Sequence, residues 1–208
     1  MQVIILPEIY GRTSFITKLE TSFLEQGISV TTLDPYDGKQ PVFDDEQHAY
    51  DFFIRVCGHD GYLSLLQKTF RETVGPLFLL GFSVGASTVW RMLDHPDMAK
   101  RVQHFVGLYP SQIRHYLSIN PECPVSLVFP KEETHFSVQD VMSALGDKDF
   151  VTCFQCPGLH GFLNPCSPNY VSDLSGAFLR VFHNFDFADL NCADLNNRLD
   201  ACLLNAFE

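Results

Sequence analysis

Short apolar runs recur along the chain, and each is followed by a stretch whose apolar positions fall three or four residues apart. Val3–Leu6 (VIIL) is the first run and ends at Pro7, which cannot continue a sheet ladder. The next segment, SFITKLETSFLEQG, carries Phe15, Leu19 and Phe23 at helical spacing, with Ser14 as its expected N-cap and Gly27 as its stop. Ile28–Leu33 (ISVTTL) is rich in β-branched residues, and DPYDGKQP after it reads as a loop. From about Asp45 to Thr73 the spacing predicts two helices broken near Gly58 to Gly61. PLFLL then predicts a strand, and Val84–Leu93 a helix stopped before Pro96. Further strands are predicted at His104–Tyr109, Val125–Phe129 and Phe150–Gln155, with helices around Val138–Leu145 and Val171–Asn184. After Phe185, Leu195, Leu199 and Cys202 or Leu203 repeat at helical spacing in a terminal segment.

Strands alternating with helices build a parallel sheet covered on both faces, because parallel neighbours need crossover connections. No internal repeat, low-complexity tract or linker divides the 208 residues. That length suits one sizeable core. The expectation is one α/β domain over 1–208, with 186–208 a C-terminal helical extension packed on its own domain or on another subunit.

Composition then removes some classes of function. The chain is 46% hydrophobic and 19% charged, as a globular protein is, and its net charge of -11 offers no basic stripe to a nucleic acid. MQVIILPEIYG lacks the basic start and apolar length of a secretory signal, and no run approaches the ~20 apolar residues of a membrane span. Seven scattered cysteines, an odd number, fit a reducing compartment, so a cytoplasmic location is expected, with no membrane partner. Cys153 and Cys156 form a CxxC with His160 close behind. A zinc site would need a second ligand pair at suitable spacing, and none is present, so no metal is expected.

The chemistry concentrates in LFLLGFSVGAS, where Ser83 stands between Gly81 and Gly85 as a buried strand gives way to a helix. Ligands of open α/β sheets bind beyond the carboxyl ends of the strands. A nucleophile on so sharp a turn needs small neighbours two residues away on each side, and the glycines supply them, with Ala86 keeping the helix start narrow. Such a turn points the Val84 amide to where negative charge would develop. A serine hydroxyl needs a general base, itself oriented by an acid, and in this fold the chain order is Ser, then Asp or Glu, then His. His160 lies in CPGLHGFLNP, the loop after the last strand; the other seven histidines lie in helices or strands, before Ser83, or beside the acid loop. The acid belongs to PKEETHFS, the loop after Val125–Phe129, where Glu132 and Glu133 are adjacent candidates. A second oxyanion donor is expected from the loop PEIYG after the first strand, at Ile9, beside Glu8.

The segments ILPEIYG, LDPYDG, GFSVGAS, FVGLYP, KEETHF and PGLHGF, in this order over about the first 185 residues, resemble the dienelactone hydrolase family of α/β-hydrolases. In that family the acid lies three residues after a small residue ending its strand. With Pro130 at that place, the resemblance favours Glu133 over Glu132. It also implies a glutamate that hydrogen-bonds around the nucleophile, falling on Glu8, and an oxyanion amide at Ile9. The namesake enzymes use a cysteine where this chain has Ser83, usually an aspartate where it has Glu133, and substrate-binding arginines that find no match. The expected function is therefore a serine hydrolase of the α/β-hydrolase fold acting on a small ester or lactone. No cofactor is called for, and the chain is expected to be a monomer or homodimer. Tyr10, Phe82, Tyr109, Phe136 and Phe162 are candidate pocket aromatics. A thioesterase or acyltransferase would use the same residues, and a non-catalytic binding module would keep the fold alone.

Overall fold

The computed structural model describes residues 1–205. Six strands form one parallel sheet: β1 (Gln2–Leu6), β2 (Ser29–Thr32), β3 (Leu77–Phe82), β4 (Val102–Leu108), β5 (Val125–Phe129) and β6 (Val151–Gln155). Their spatial order is β2-β1-β3-β4-β5-β6. The chain steps from β1 to β2 on one side, then returns past β1 to lay down β3 and the rest on the other. The direction of winding therefore reverses between β1 and β3. Loops leaving those two strands diverge there, at the place where open α/β sheets bind their ligands.

Helices α1 (Ser14–Glu25), α7 (Ser172–His183) and α8 (Cys192–Asn205) pack on one face of the sheet. Helices α2 (Glu46–Val56), α3 (Gly58–Glu72), α4 (Val84–Met92) and α6 (Val138–Gly146) cover the other. Strand alternation sorts the core between them. Ile4, Leu6, Leu77 and Leu79 face the α2–α3–α4–α6 layer, while Val3, Ile5, Phe78, Leu80 and Phe82 face the α1–α7–α8 layer. β3 is buried at every position, as a central strand covered on both faces must be.

Boundaries differ from the sequence pattern in small, physical ways. Thr13, not Ser14, is the extended residue before α1, and Ser14 is its first helical residue. The α2–α3 break falls at Cys57–Gly58, where Gly58 takes φ +64°, and Gly61 lies inside α3. Asp45 caps α2 by accepting the His48 amide at 2.7 Å. Two short elements escape the periodicity: α5 (Pro96–Ala99) and a 3-10 turn at Ser111–His115, both too brief to show a repeat. α8 packs at home, burying Leu195, Leu199, Cys202 and Leu203 against the sheet face it shares with α7.

Candidate active site

Four loops meet over the carboxyl ends of the strands. The β3–α4 turn is the tightest of them. Ser83 has φ 48° and ψ -113°, a conformation that costs on the order of 1–3 kcal/mol outside glycine. Its neighbours make this turn possible. A Cβ on Gly81 would stand 2.6 Å from Ala86 Cα, and one on Gly85 would stand 2.2 Å from the Leu6 carbonyl oxygen. Only hydrogen fits at either place: the first turn of α4 lies directly over Gly81, and at Gly85 the same turn is pressed against the end of β1.

Three of the predicted side chains converge. Ser83 Oγ lies 2.9 Å from His160 Nε2, and His160 Nδ1 lies 2.7 Å from Glu133 Oε1. A carboxylate can only accept, so Nδ1 carries the proton and donates to Glu133, which leaves Nε2 free to accept from the serine. Glu133 leaves the loop after β5, and its side chain is mostly covered, whereas Glu132 beside it is exposed. His135, farther along that loop, is exposed as well. His160 is held from behind, since Asn169 Nδ2 donates to its carbonyl at 2.9 Å.

Burial by itself would push the His160 imidazole down. The Glu133 hydrogen bond and charge outweigh it, with Glu8 and Glu46 adding to them, and the net value lies above the ordinary 6.5. Each charge acting on this ring is an acid. Glu8, 6% exposed, is pushed up by burial, and His160, Tyr109 and Asn164 act in the opposite direction. The Tyr109 hydroxyl donates to Glu8 Oε1 at 3.1 Å.

The loop after β1 carries Ile9 and Tyr10. The Ile9 carbonyl accepts the Tyr36 hydroxyl, which fixes the orientation of that peptide. Neither the Ile9 nor the Val84 amide has a hydrogen-bond partner among the described residues. Both therefore remain available to an incoming group.

Burial changes the reading of the aromatics. Phe82 and Phe162 are sealed in the α1–α7–α8 layer against Phe15 and Phe178, so they form the floor under the site and not the wall of an opening. Tyr109 is also interior, with its ring edge against His160 (5.0 Å between centroids). Tyr10 and Phe136 reach the surface in part; Tyr10 meets Phe43 edge to face, and Phe136 lies under the Arg114 guanidinium. Sequence reasoning did not find Asn164, Asn169 or Glu46. The first two sit in a turn-rich stretch whose composition reads only as loop, and Glu46 reads as an ordinary first-turn acid of α2.

Cys153 and Cys156 point to opposite faces of the sheet, Cys153 toward the α2–α3–α4–α6 layer and Cys156 into the other. They cannot share a ligand. Among the described residues no group of three or more His, Cys, Asp and Glu side chains could hold a metal ion, and no helix is long and apolar enough to cross a membrane.

The parallel sheet with its winding reversal, and the strand–serine–helix turn at that reversal, place the chain in the α/β-hydrolase fold. Solved structures agree. The thioesterase domain from the curacin biosynthetic pathway superposes with a TM-score of 0.60 at 11% identity, covering 86% of this chain and 89% of that one. A dienelactone hydrolase-like promiscuous phosphotriesterase, P91, from metagenomic libraries superposes with 0.55 at 15% identity (87% and 84%). Mouse alpha/beta hydrolase domain-containing protein 10 does so with 0.55 at 12% identity (74% and 79%). The chain is 32% identical over 187 residues to the uncharacterized protein YczH of Bacillus subtilis (strain 168), covering 88% of this chain and 90% of that protein. It belongs to the same family as YczH. No family model matches the chain.

Proposed function

We propose that the protein is a serine hydrolase that cleaves a carboxylic ester or lactone of a small substrate through an acyl-enzyme. The observation that carries this reading is the relay from Ser83 Oγ through His160 to Glu133, with separations of 2.9 Å and 2.7 Å. His160 Nε2 takes the serine proton as Oγ bonds to the carbonyl carbon, and Glu133 holds the ring in the donor-at-Nδ1 tautomer and stabilises the imidazolium. The Val84 and Ile9 amides receive the oxyanion; losing one such donor typically costs about 10²–10³ in rate. The imidazolium then protonates the leaving oxygen. Water, deprotonated by the same nitrogen, releases the acid and restores Ser83. Every proton moves between Ser83, His160, substrate and water, so the cycle asks for no cofactor.

The acidic surroundings of His160 favour neutral substrates over anionic ones, in keeping with the unmatched arginines of the dienelactone hydrolases. A fluorophosphonate probe tests the reading: it should label the wild-type protein and fail on Ser83→Ala. Wild-type protein that resists the probe, and leaves p-nitrophenyl acetate and butyrate intact, would be a binding module and not a hydrolase. Where labelling occurs, a panel of short-chain esters, lactones and acyl-thioesters ranks the substrate classes by kcat/KM.

A further inference from the structure

Tyr109 follows β4 and has no place in the acyl-transfer steps, yet several features single it out. It is a non-glycine residue held at φ 40°, with its amide donating to Val128 O at 2.7 Å. Its side chain is 1% exposed, although its hydroxyl is polar. That hydroxyl has found a carboxylate, Glu8 Oε1 at 3.1 Å, across 101 residues of sequence. Its ring meets the His160 imidazole edge to face, with centroids 5.0 Å apart and planes at 62°, and meets Phe162 on another side at 5.1 Å. One side chain thus touches both the imidazole and the buried acid beside it.

We infer that Tyr109 is a positioning residue for His160, acting through Glu8: its hydroxyl orients the buried carboxylate and its ring edge sets the tilt of the imidazole. The inference rests on His160 being the general base of the reaction proposed above. A buried carboxyl sheds its charge unless donors support the ionised form. Tyr109 supplies one completed bond. Asn164 supplies a second donor: its Oδ1 is fixed by the Cys166 amide at 2.9 Å, while its buried Nδ2 approaches Glu8 without completing a hydrogen bond. Glu8 is faced by Tyr109 from the end of β4, by His160, Asn164 and Cys166 from the loop after β6, by Tyr10 from its own loop, and by Glu46 from α2. His160 is the one group among these that becomes a cation. Glu8 charge and His160 charge therefore support each other, and the two titrate as a pair.

The sign of the effect follows. Taking away the Tyr109 hydroxyl makes Glu8 hold its proton to higher pH, which removes an anion from beside His160 and lets the imidazole lose its proton at lower pH. NMR titration of the His160 ring in the free protein reads this without any substrate. Tyr109→Phe keeps the ring and its packing and should lower the His160 midpoint by roughly 0.5 pH. Glu8→Gln should lower it at least as far, and adding Tyr109→Phe to Glu8→Gln should change nothing more. An unmoved midpoint in Tyr109→Phe, or an equal shift in the Glu8→Gln background, overturns the inference. If Tyr109→Phe does not fold, difluorotyrosine placed at 109 decides: its stronger donor should raise the midpoint, and no rise refutes the role. Failure of the hydrolase reading would appear separately, as wild-type protein that no fluorophosphonate labels.

Discussion

At the scale of single residues, the site is a balance of charge against burial around one imidazole. The Glu133 charge and hydrogen bond raise His160 above 6.5, and in the proposed reaction His160 serves as base only when unprotonated. The log of kcat/KM should therefore fall as pH drops through a midpoint above 6.5, measured with a neutral ester. Glu133→Gln should lower the plateau by about 10²–10⁴-fold and move that midpoint down, because the group holding the proton on the ring has gone. Glu132→Gln, at an exposed position, should leave both within about twofold. Much of this was legible beforehand: Ser83, the pair of glutamates and His160 follow from strand-end position and chain order. The choice between Glu132 and Glu133 needed an outside resemblance, because both lie in one flexible-reading loop and only the fold says which turns inward. Asn164 was not legible at all. Its neighbour Glu8 is 156 positions away, and nothing local distinguishes it from any other asparagine before a proline.

At the scale of elements, the β3–α4 turn shows how sequence and packing agree. The apolar run LFLL, the two glycines and the small residues of α4 were readable as strand, turn and helix because each local preference points the same way. The structure adds what no run of letters contains, that α4 begins against the end of β1. With Gly85 Cβ placed 2.2 Å from the Leu6 carbonyl oxygen, Gly85→Ala must drive two elements apart. It should cost about 1–3 kcal/mol by urea unfolding and remove fluorophosphonate labelling, since the shift moves Ser83 away from His160. Gly146→Ala, with open space around its Cβ at the end of α6, should leave labelling intact and stability within about 1 kcal/mol. The aromatic residues taught the opposite lesson. Phe82 and Phe162 flank the candidate site residues in sequence, but strand alternation carries Phe82, and the turn after His160 carries Phe162, into the α1–α7–α8 layer, where both are buried. Proximity along the chain said nothing about which face they would take.

At the scale of the whole molecule, the sheet divides its labour between its two ends. The carboxyl end carries the candidate site, while the opposite end carries a polar row crossing three strands. His104 Nε2 lies 2.7 Å from Ser126 Oγ, Ser126 is hydrogen-bonded to Asn196 of α8, and Asn196 reaches Thr152 at 3.2 Å. Ser126 pairs with Thr152 in register, so the row runs from β4 through β5 to β6, and α8 closes it. The terminal helix is thus fixed by polar groups at its start and by Leu199 and Leu203 farther along. The cost of this arrangement is a histidine that must stay neutral. His104 is stacked on Phe78, its Nδ1 is buried without a partner among the described residues, and burial lowers it from 6.5 to about 4. The unfolded chain takes up that proton below 6.5 and the folded chain only near 4. Stability from this group is therefore full above 6.5 and is lost as pH falls through the window between the two values. At pH 4 the loss should reach about 3 kcal/mol. Urea unfolding of the wild type at pH 7 and pH 4, set against His104→Phe, isolates the effect: the variant keeps the stack on Phe78 and has no proton to gain. The wild type should lose about 3 kcal/mol more than the variant over that interval. Equal losses would mean that His104 is not the acid-sensitive group.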